Sequence, residues 1–238
     1  MPKHSRRYEA ALQKIEEDKV YQPDEAVGLL KELASTKFDA TLEIHLRTTA
    51  DTRHADQMVR GVAVLPHGLG KQVRVLVFAN GEAADIARQA GADYVGDEDL
   101  TEQIEGGWLD FEIGLAVPDI MPKIAKLGRI LGRRGLMPNP RTGTMVQPRD
   151  LPRTIEEAKA GRLEYRTDRT SIIHGQFGKA SFEEQSLMEN LSVLMDAIVR
   201  SKPEAVKGAF LKSAYLNCSM GPSVAVDVNS LQALKPQE

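Results

Sequence analysis

The densest concentration of chemically capable residues runs Lys126-Leu-Gly-Arg-Ile-Leu-Gly-Arg-Arg-Gly-Leu-Met-Pro-Asn-Pro-Arg-Thr-Gly-Thr144, mixing glycine, arginine and proline. Glycines leave the backbone uncrowded, so the forked donors of Arg129, Arg133, Arg134 and Arg141 can reach phosphate oxygens, and loop amides can point at the same anions. RNA phosphate is the target such a segment suits. A helix end followed by a rigid, solvated loop would use the same residues and bind nothing.

Catalytic patterns are missing. Gly70-Lys71 has Leu65 where a phosphate loop needs its first glycine and Gln72 where it needs Ser or Thr. Gly68 and Gly70 precede a strand instead of leaving one, which removes the dinucleotide fingerprint. Ser219 has Asn217 where a nucleophile elbow needs glycine, and Cys218 has no histidine beside it in sequence. Asp51, His54 and Asp56 share a polar loop without metal-site spacing. The expectation is a protein that is not an enzyme, with no cofactor and no metal.

The elements that must hold these residues follow from pattern. At 238 residues, 42% hydrophobic and 27% charged, the chain can bury one large core or two modest ones. Its single cysteine excludes an internal disulfide partner and points to a reducing compartment. No apolar run approaches the roughly 20 residues of a membrane span, so a cytoplasmic protein with no membrane partner is expected. The net charge of −3 hides an asymmetry: residues 82–119 carry eleven acidic side chains and one basic one, Arg88, whereas residues 121–153 carry eight basic and one acidic, Asp150. Two opposed surfaces would follow, one able to gather phosphates.

Helical spacing predicts helices over residues 5–15 and 24–33, and alternation about Leu42, Ile44 and Leu46 predicts a half-exposed antiparallel strand. Beyond a short strand at 61–65 the pattern changes. The apolar run 73–79 predicts a strand buried on both faces. Helices at 81–89, 97–104, 119–131 and 151–160 then alternate with strands at 91–95 and 111–117, with the loop 128–143 between. Alternating strands return at 163–165 and 172–177. Ser181 with Glu184 predicts a capping box opening a helix to Arg200, strands follow at 209–217 and 223–228, and the tail from Gln232 is expected to fray. The economical architecture is mixed α/β (α+β) with two domains. A discontinuous α+β domain with an antiparallel sheet (1–67 and 160–238) is interrupted by an inserted Rossmann-like α/β three-layer sandwich (68–159). Gly68, Gly70 and Gly161 at the crossings would permit domain motion.

The run 126–144 resembles the signature of the ribosomal protein L-one family, found at the mobile stalk of the large ribosomal subunit. The likeness extends to Met1-Pro-Lys-His4, Lys31-Glu-Leu, Lys37-Phe-Asp39, Pro66-His-Gly-Leu-Gly-Lys71, Gly91-Ala-Asp-Tyr94, Gly178-Lys-Ala-Ser-Phe182 and Met220-Gly-Pro-Ser223. Arg133 stands where the bacterial pattern usually has proline, and Cys218-Ser219 where threonines usually precede Met-Gly. The resemblance implies a two-domain protein whose split domain binds large-subunit ribosomal RNA through Lys37, Phe38, Thr41, Glu43, Arg169, Ser213, Ser219, Met220 and Gly221. Arg129, Arg133, Arg134 and Arg141 are secondary candidates resting on charge. It also implies a monomer within the ribosome, contact with transfer RNA at the exit site and assistance to its movement, and repression of the chain's own messenger RNA. In such a site hydroxyls and amides bond ribose and phosphate, Lys37 and Arg169 neutralise charge, and Phe38 with Met220 offers an apolar platform. Two other classes stay open on the residues alone: a nucleotide-binding or catalytic module in the α/β segment, and an acidic adaptor for basic proteins built on residues 82–119.

Overall fold

The computed structural model describes residues 5–236, apart from the side chain of Arg141, so the motif at residues 1–4 and any contact by Arg141 lie outside the described residues. Along the chain come α1 (Arg6–Leu12), α2 (Pro23–Leu33), β1 (Thr41–Thr48), β2 (Arg60–Val64), β3 (Val75–Phe78), α3 (Gly81–Gln89), β4 (Tyr94–Gly96), α4 (Glu98–Glu105) and β5 (Ile113–Ala116). They are followed by α5 (Met121–Ile124), α6 (Gly128–Arg134), α7 (Leu151–Gly161), β6 (Arg162–Arg166), β7 (Ile172–Lys179), α8 (Glu184–Arg200), β8 (Leu211–Cys218), β9 (Ser223–Val226) and α9 (Val228–Ala233). Two compact units result, one from the residues up to Gly70 and from Leu163 onward, the other Lys71–Arg162.

In the first unit, sequence-distant strands form an antiparallel sheet in the order β7-β1-β8-β9. The alternation of β1 sends Leu42, Ile44 and Leu46 inward, all fully buried, against Val27 and Leu30 of α2 and Leu187, Leu191, Leu194 and Ile198 of α8. Strands β2 and β6 pair in a small second sheet. Fully buried Asn190 of α8 is satisfied: its Oδ1 accepts from the His67 amide at 3.0 Å, and its Nδ2 donates to the Gly68 and Phe177 carbonyls at 3.1 and 2.9 Å.

In the second unit the parallel sheet runs β4-β3-β5. All four residues of β3 are buried, as its apolar run requires. Val75 and Val77 face α3 and α7, while Leu76 and Phe78 face α4 and the helical run 118–134, giving three layers.

Several local expectations are corrected. Ser181 does not cap α8: its amide and hydroxyl bond the Asp39 carboxylate at 3.0 and 2.8 Å, and Glu183 occupies the N-cap. The tertiary partner outcompetes the local box. The helix expected at 119–131 is broken into short α and 3-10 turns that start at Pro118, carry Pro122 and continue to Arg134. Proline removes a helical donor and crowds the preceding turn. Gln232 lies within α9, whose start is fixed by the Asp227 side chain accepting from the Ser230 amide at 2.8 Å.

Candidate nucleic-acid interface

Because α2 and α8 pack on one face of the four-stranded sheet, its other face is open. Register places side chains there in rows: Gln176, Glu43, Asn217 and Ser223 in one, His174, His45, Tyr215 and Ala225 in the next, Ile172, Arg47 and Ser213 in a third. Thr41, Glu43 and Ser213, expected from the family likeness, therefore share this face. Six residues separate Thr41 from Arg47, so it extends about 20 Å along the strands at about 3.4 Å per residue.

One end of the face is built tightly. The Ser219 amide donates to the Thr41 carbonyl at 2.9 Å, and the Thr41 amide donates to Ser219 Oγ at 3.2 Å. Lys179 Nζ donates to Thr41 Oγ1 at 2.7 Å. Ser219 and Thr41 thus spend hydroxyl capacity on holding the β1 and β8 ends together. The Gly221 amide closes the next turn on the Cys218 carbonyl at 2.8 Å, with Met220 at φ 65° in the third position, where glycine or asparagine is the usual residue. A Cβ on Gly221 would stand 2.3 Å from Cys218 Sγ, so only glycine fits. The turn thereby holds Met220 69% exposed. Phe38, three residues before Thr41, is 57% exposed, and Lys37 beside it is exposed with no ion pair among the described residues. Burial raises the Cys218 thiol pKa, which keeps that side chain a neutral packing group.

Arg169 and Ser213 lie at the opposite end. The exposed Arg169 follows Asp168, whose carboxylate accepts from the Thr170 and Ile172 amides, both at 2.8 Å, while Thr52 Oγ1 donates to the Arg169 carbonyl at 3.1 Å. Burial raises the Asp168 pKa, but these hydrogen bonds outweigh it and hold the carboxyl below its ordinary range. Of the nine residues suggested by the family likeness, register therefore places Thr41, Glu43 and Ser213 on one face, with Ser219 tied to Thr41 at one end of it.

Nothing local marks His174 or Tyr215 as neighbours of His45; register brings them together. The Nδ1 atoms of His45 and His174 stand 2.8 Å apart, so one imidazole donates to the other. Glu43 lies 3.9 Å from His45 Nε2 and Asp168 lies 3.7 Å from His174 Nε2. Burial lowers the His45 pKa, His174 lowers it further, and Glu43 opposes both. In the adjoining row the Asn217 Oδ1 is buried with no hydrogen-bond partner among the described residues.

The basic segment of the second unit differs from its sequence picture. Arg129, Arg133 and Arg134 are exposed on or near α6 with no ion pair among the described residues. Lys123 reaches Asp97 at 2.6 Å and Glu98 at 3.3 Å, and Lys126 reaches Glu105 at 3.0 Å. The acidic and basic stretches thus partly neutralise one another instead of forming two opposed surfaces. Nor are the loop amides free, since Asn139 donates to Thr144 Oγ1, Gly143 to the Pro140 carbonyl and Thr144 to the Asn139 carbonyl. Among the described residues no group of three or more His, Cys, Asp or Glu could hold a metal ion, and no helix is long and apolar enough to cross a membrane.

Residues 30–222 match the model of the "Ribosomal protein L1p/L10e family". The chain is 55% identical over 229 residues to large ribosomal subunit protein uL1 of Thermomicrobium roseum, covering 96% of this chain and 95% of that one. It is 52% identical over 236 residues to the protein of that name from Chloroflexus aggregans (99% and 100% covered) and 50% identical over 234 residues to that of Dehalococcoides mccartyi (98% and 99%).

Proposed function

The chain belongs to the Ribosomal protein L1p/L10e family, and we propose that it binds large-subunit ribosomal RNA at the mobile stalk through the open face of its four-stranded sheet. It is a non-enzymatic protein of the large ribosomal subunit. The observation that carries the RNA reading is the strained turn that presents Met220 to solvent at the strand end where Phe38 is also exposed. Apolar groups held outward at a conformational cost need a partner that covers them. Lys37 and Arg169 neutralise phosphates, while Glu43 accepts from ribose hydroxyls or base amino groups. Ser219, Thr41 and Gly221 act mainly by fixing the shape of that end. Arg129, Arg133 and Arg134 provide secondary contacts.

The test is binding of a stalk-region fragment of large-subunit ribosomal RNA at graded salt. Log affinity should fall by about 0.7–0.9 per log unit of salt for each phosphate neutralised. Phe38→Ala and Met220→Ala should each weaken binding about tenfold or more without unfolding the protein. Salt-independent affinity, or wild-type affinity in both variants, rejects the site. The family likeness further supports contact with exit-site transfer RNA that assists its movement, repression of the chain's own messenger RNA through the same face, and work in the cytoplasm as a monomer within the ribosome. Binding of its own messenger-RNA leader, competed by the ribosomal fragment, would test the second of these.

A further inference from the structure

Tyr215 lies outside the nine residues that the family likeness supplies. It sits mid-strand in β8 and directly opposite His45 and Ala225, with its side chain 43% exposed on the open face. Beside it a hollow of about 600 Å³ opens between the sheet and the segment after α1, its apolar walls formed by Leu12, Val20, Tyr215 and Ala225. That volume is in the roughly 300–1,000 Å³ range of sites for small organic groups. A second hollow of about 400 Å³, which also includes Lys212, shares Val20, Tyr215 and Ala225.

The rim of the larger hollow decides what can enter. Glu16, Glu17, Asp18 and Lys19 border it; Lys19 is paired with Glu16 at 3.1 Å, so Glu17 and Asp18, which have no ion pair among the described residues, leave the rim net acidic. Carboxylates repel phosphate and accept hydrogen bonds only. The fitting group is flat, apolar on its faces and rich in N–H donors at its edge. An unpaired nucleobase bearing an amino group has that chemistry, and aromatic side chains on open sheets stack such bases. The hollow is also continuous, through Tyr215, with the face assigned above to RNA.

We propose that this hollow receives one unpaired, amino-bearing nucleobase of the bound RNA, stacked on Tyr215 with its amino edge toward Glu17 and Asp18. The inference rests on the RNA-binding reading of the open face. It adds to that reading a residue that reads a base instead of backbone shape.

The test uses the full chain and the stalk-region ribosomal RNA fragment. Ultraviolet irradiation of the complex followed by mass spectrometry should yield a nucleotide attached to the peptide containing Tyr215. Tyr215→Ala should weaken binding about 5- to 150-fold, corresponding to roughly 1–3 kcal/mol for one stacked base, and Tyr215→Phe should retain wild-type affinity. Val20→Asp, which fills the hollow with charge but leaves Tyr215 in place, should weaken binding as Tyr215→Ala does. An abasic site at the cross-linked nucleotide should erase the difference between wild type and Tyr215→Ala, and a deaminated analogue there should weaken binding several-fold. Wild-type affinity in Tyr215→Ala alongside weakened Phe38→Ala overturns the inference, keeps the RNA reading and leaves the hollow to a protein segment. Equal losses in Tyr215→Ala and Tyr215→Phe also overturn it, because stacking does not need the hydroxyl. Wild-type affinity in Phe38→Ala, Met220→Ala and Tyr215→Ala together rejects the RNA reading itself.

Discussion

Gly221→Ala tests whether the turn that presents Met220 is shaped by close packing beneath it. The added methyl would lie 2.3 Å from Cys218 Sγ and 3.2 Å from the Cys218 carbonyl oxygen. Neither neighbour yields freely: the sulfur is fully buried, and the carbonyl accepts the 2.8 Å hydrogen bond that closes the turn. Overpacking of this kind costs about 1–3 kcal/mol. Cys218→Ala alone removes one atom of roughly methylene size from the core, about 1 kcal/mol. With the sulfur gone, the methyl at 221 meets only the carbonyl at 3.2 Å, so the double variant should be at least 1 kcal/mol more stable than the sum of the two singles implies. Urea melts can localise the effect, because four of the five tyrosines, Tyr8, Tyr21, Tyr165 and Tyr215, belong to the split unit, whereas Tyr94 and the single tryptophan, Trp108, belong to the other. The tyrosine transition should fall by about 1 M in Gly221→Ala, given a slope of roughly 1–3 kcal/mol per molar urea, while the Trp108 transition stays put. RNA affinity should drop with Gly221→Ala and recover in the double variant. Additivity within about 0.5 kcal/mol would refute the steric reasoning.

Asn190→Ala leaves the His67 amide and the Gly68 and Phe177 carbonyls without their side-chain partner and should cost about 2–4 kcal/mol in the same tyrosine-monitored melt. A loss below 1 kcal/mol would mean that water replaces the amide. Because the folded-state pKa of His45 is lowered from 6.5, the unfolded chain binds more protons below that value, so stability is full above it and declines as pH falls toward the folded value. His45→Gln should flatten this decline; an unchanged slope between pH 7.5 and 5.5 would remove the histidine pair from the account. Glu112 is held down to about 2, first by the side-chain hydrogen bond from Arg74, so it contributes stability above its ordinary 4.5 that is lost as pH falls from there toward 2. Glu112→Gln should reduce the acid sensitivity of the Trp108 transition over that window, and identical acid limbs would contradict it.

Much of the site is legible locally. The alternation of Leu42, Ile44 and Leu46 with Glu43, His45 and Arg47 already gives a strand with one wet face, and the apolar run around Val75 already gives a strand covered on both sides. The Ser181 capping box fails because Asp39, distant in sequence, offers a stronger partner. The charge asymmetry fails as a surface argument because Lys123 and Lys126 fold back onto Asp97, Glu98 and Glu105.

What the sequence alone determined is which face of the main strands and helices is apolar and, through the L-one likeness, the family to which the chain belongs. The apolar faces are properties of single segments, set by side-chain period and local sterics. Only the tertiary structure decided that His45 meets His174 across 129 positions, that Tyr215 faces a hollow beside α1, and that Gly221 has no room for a methyl over Cys218. Strand order and register arise from burying several distant apolar faces in one core, and no short stretch of chain carries that sum.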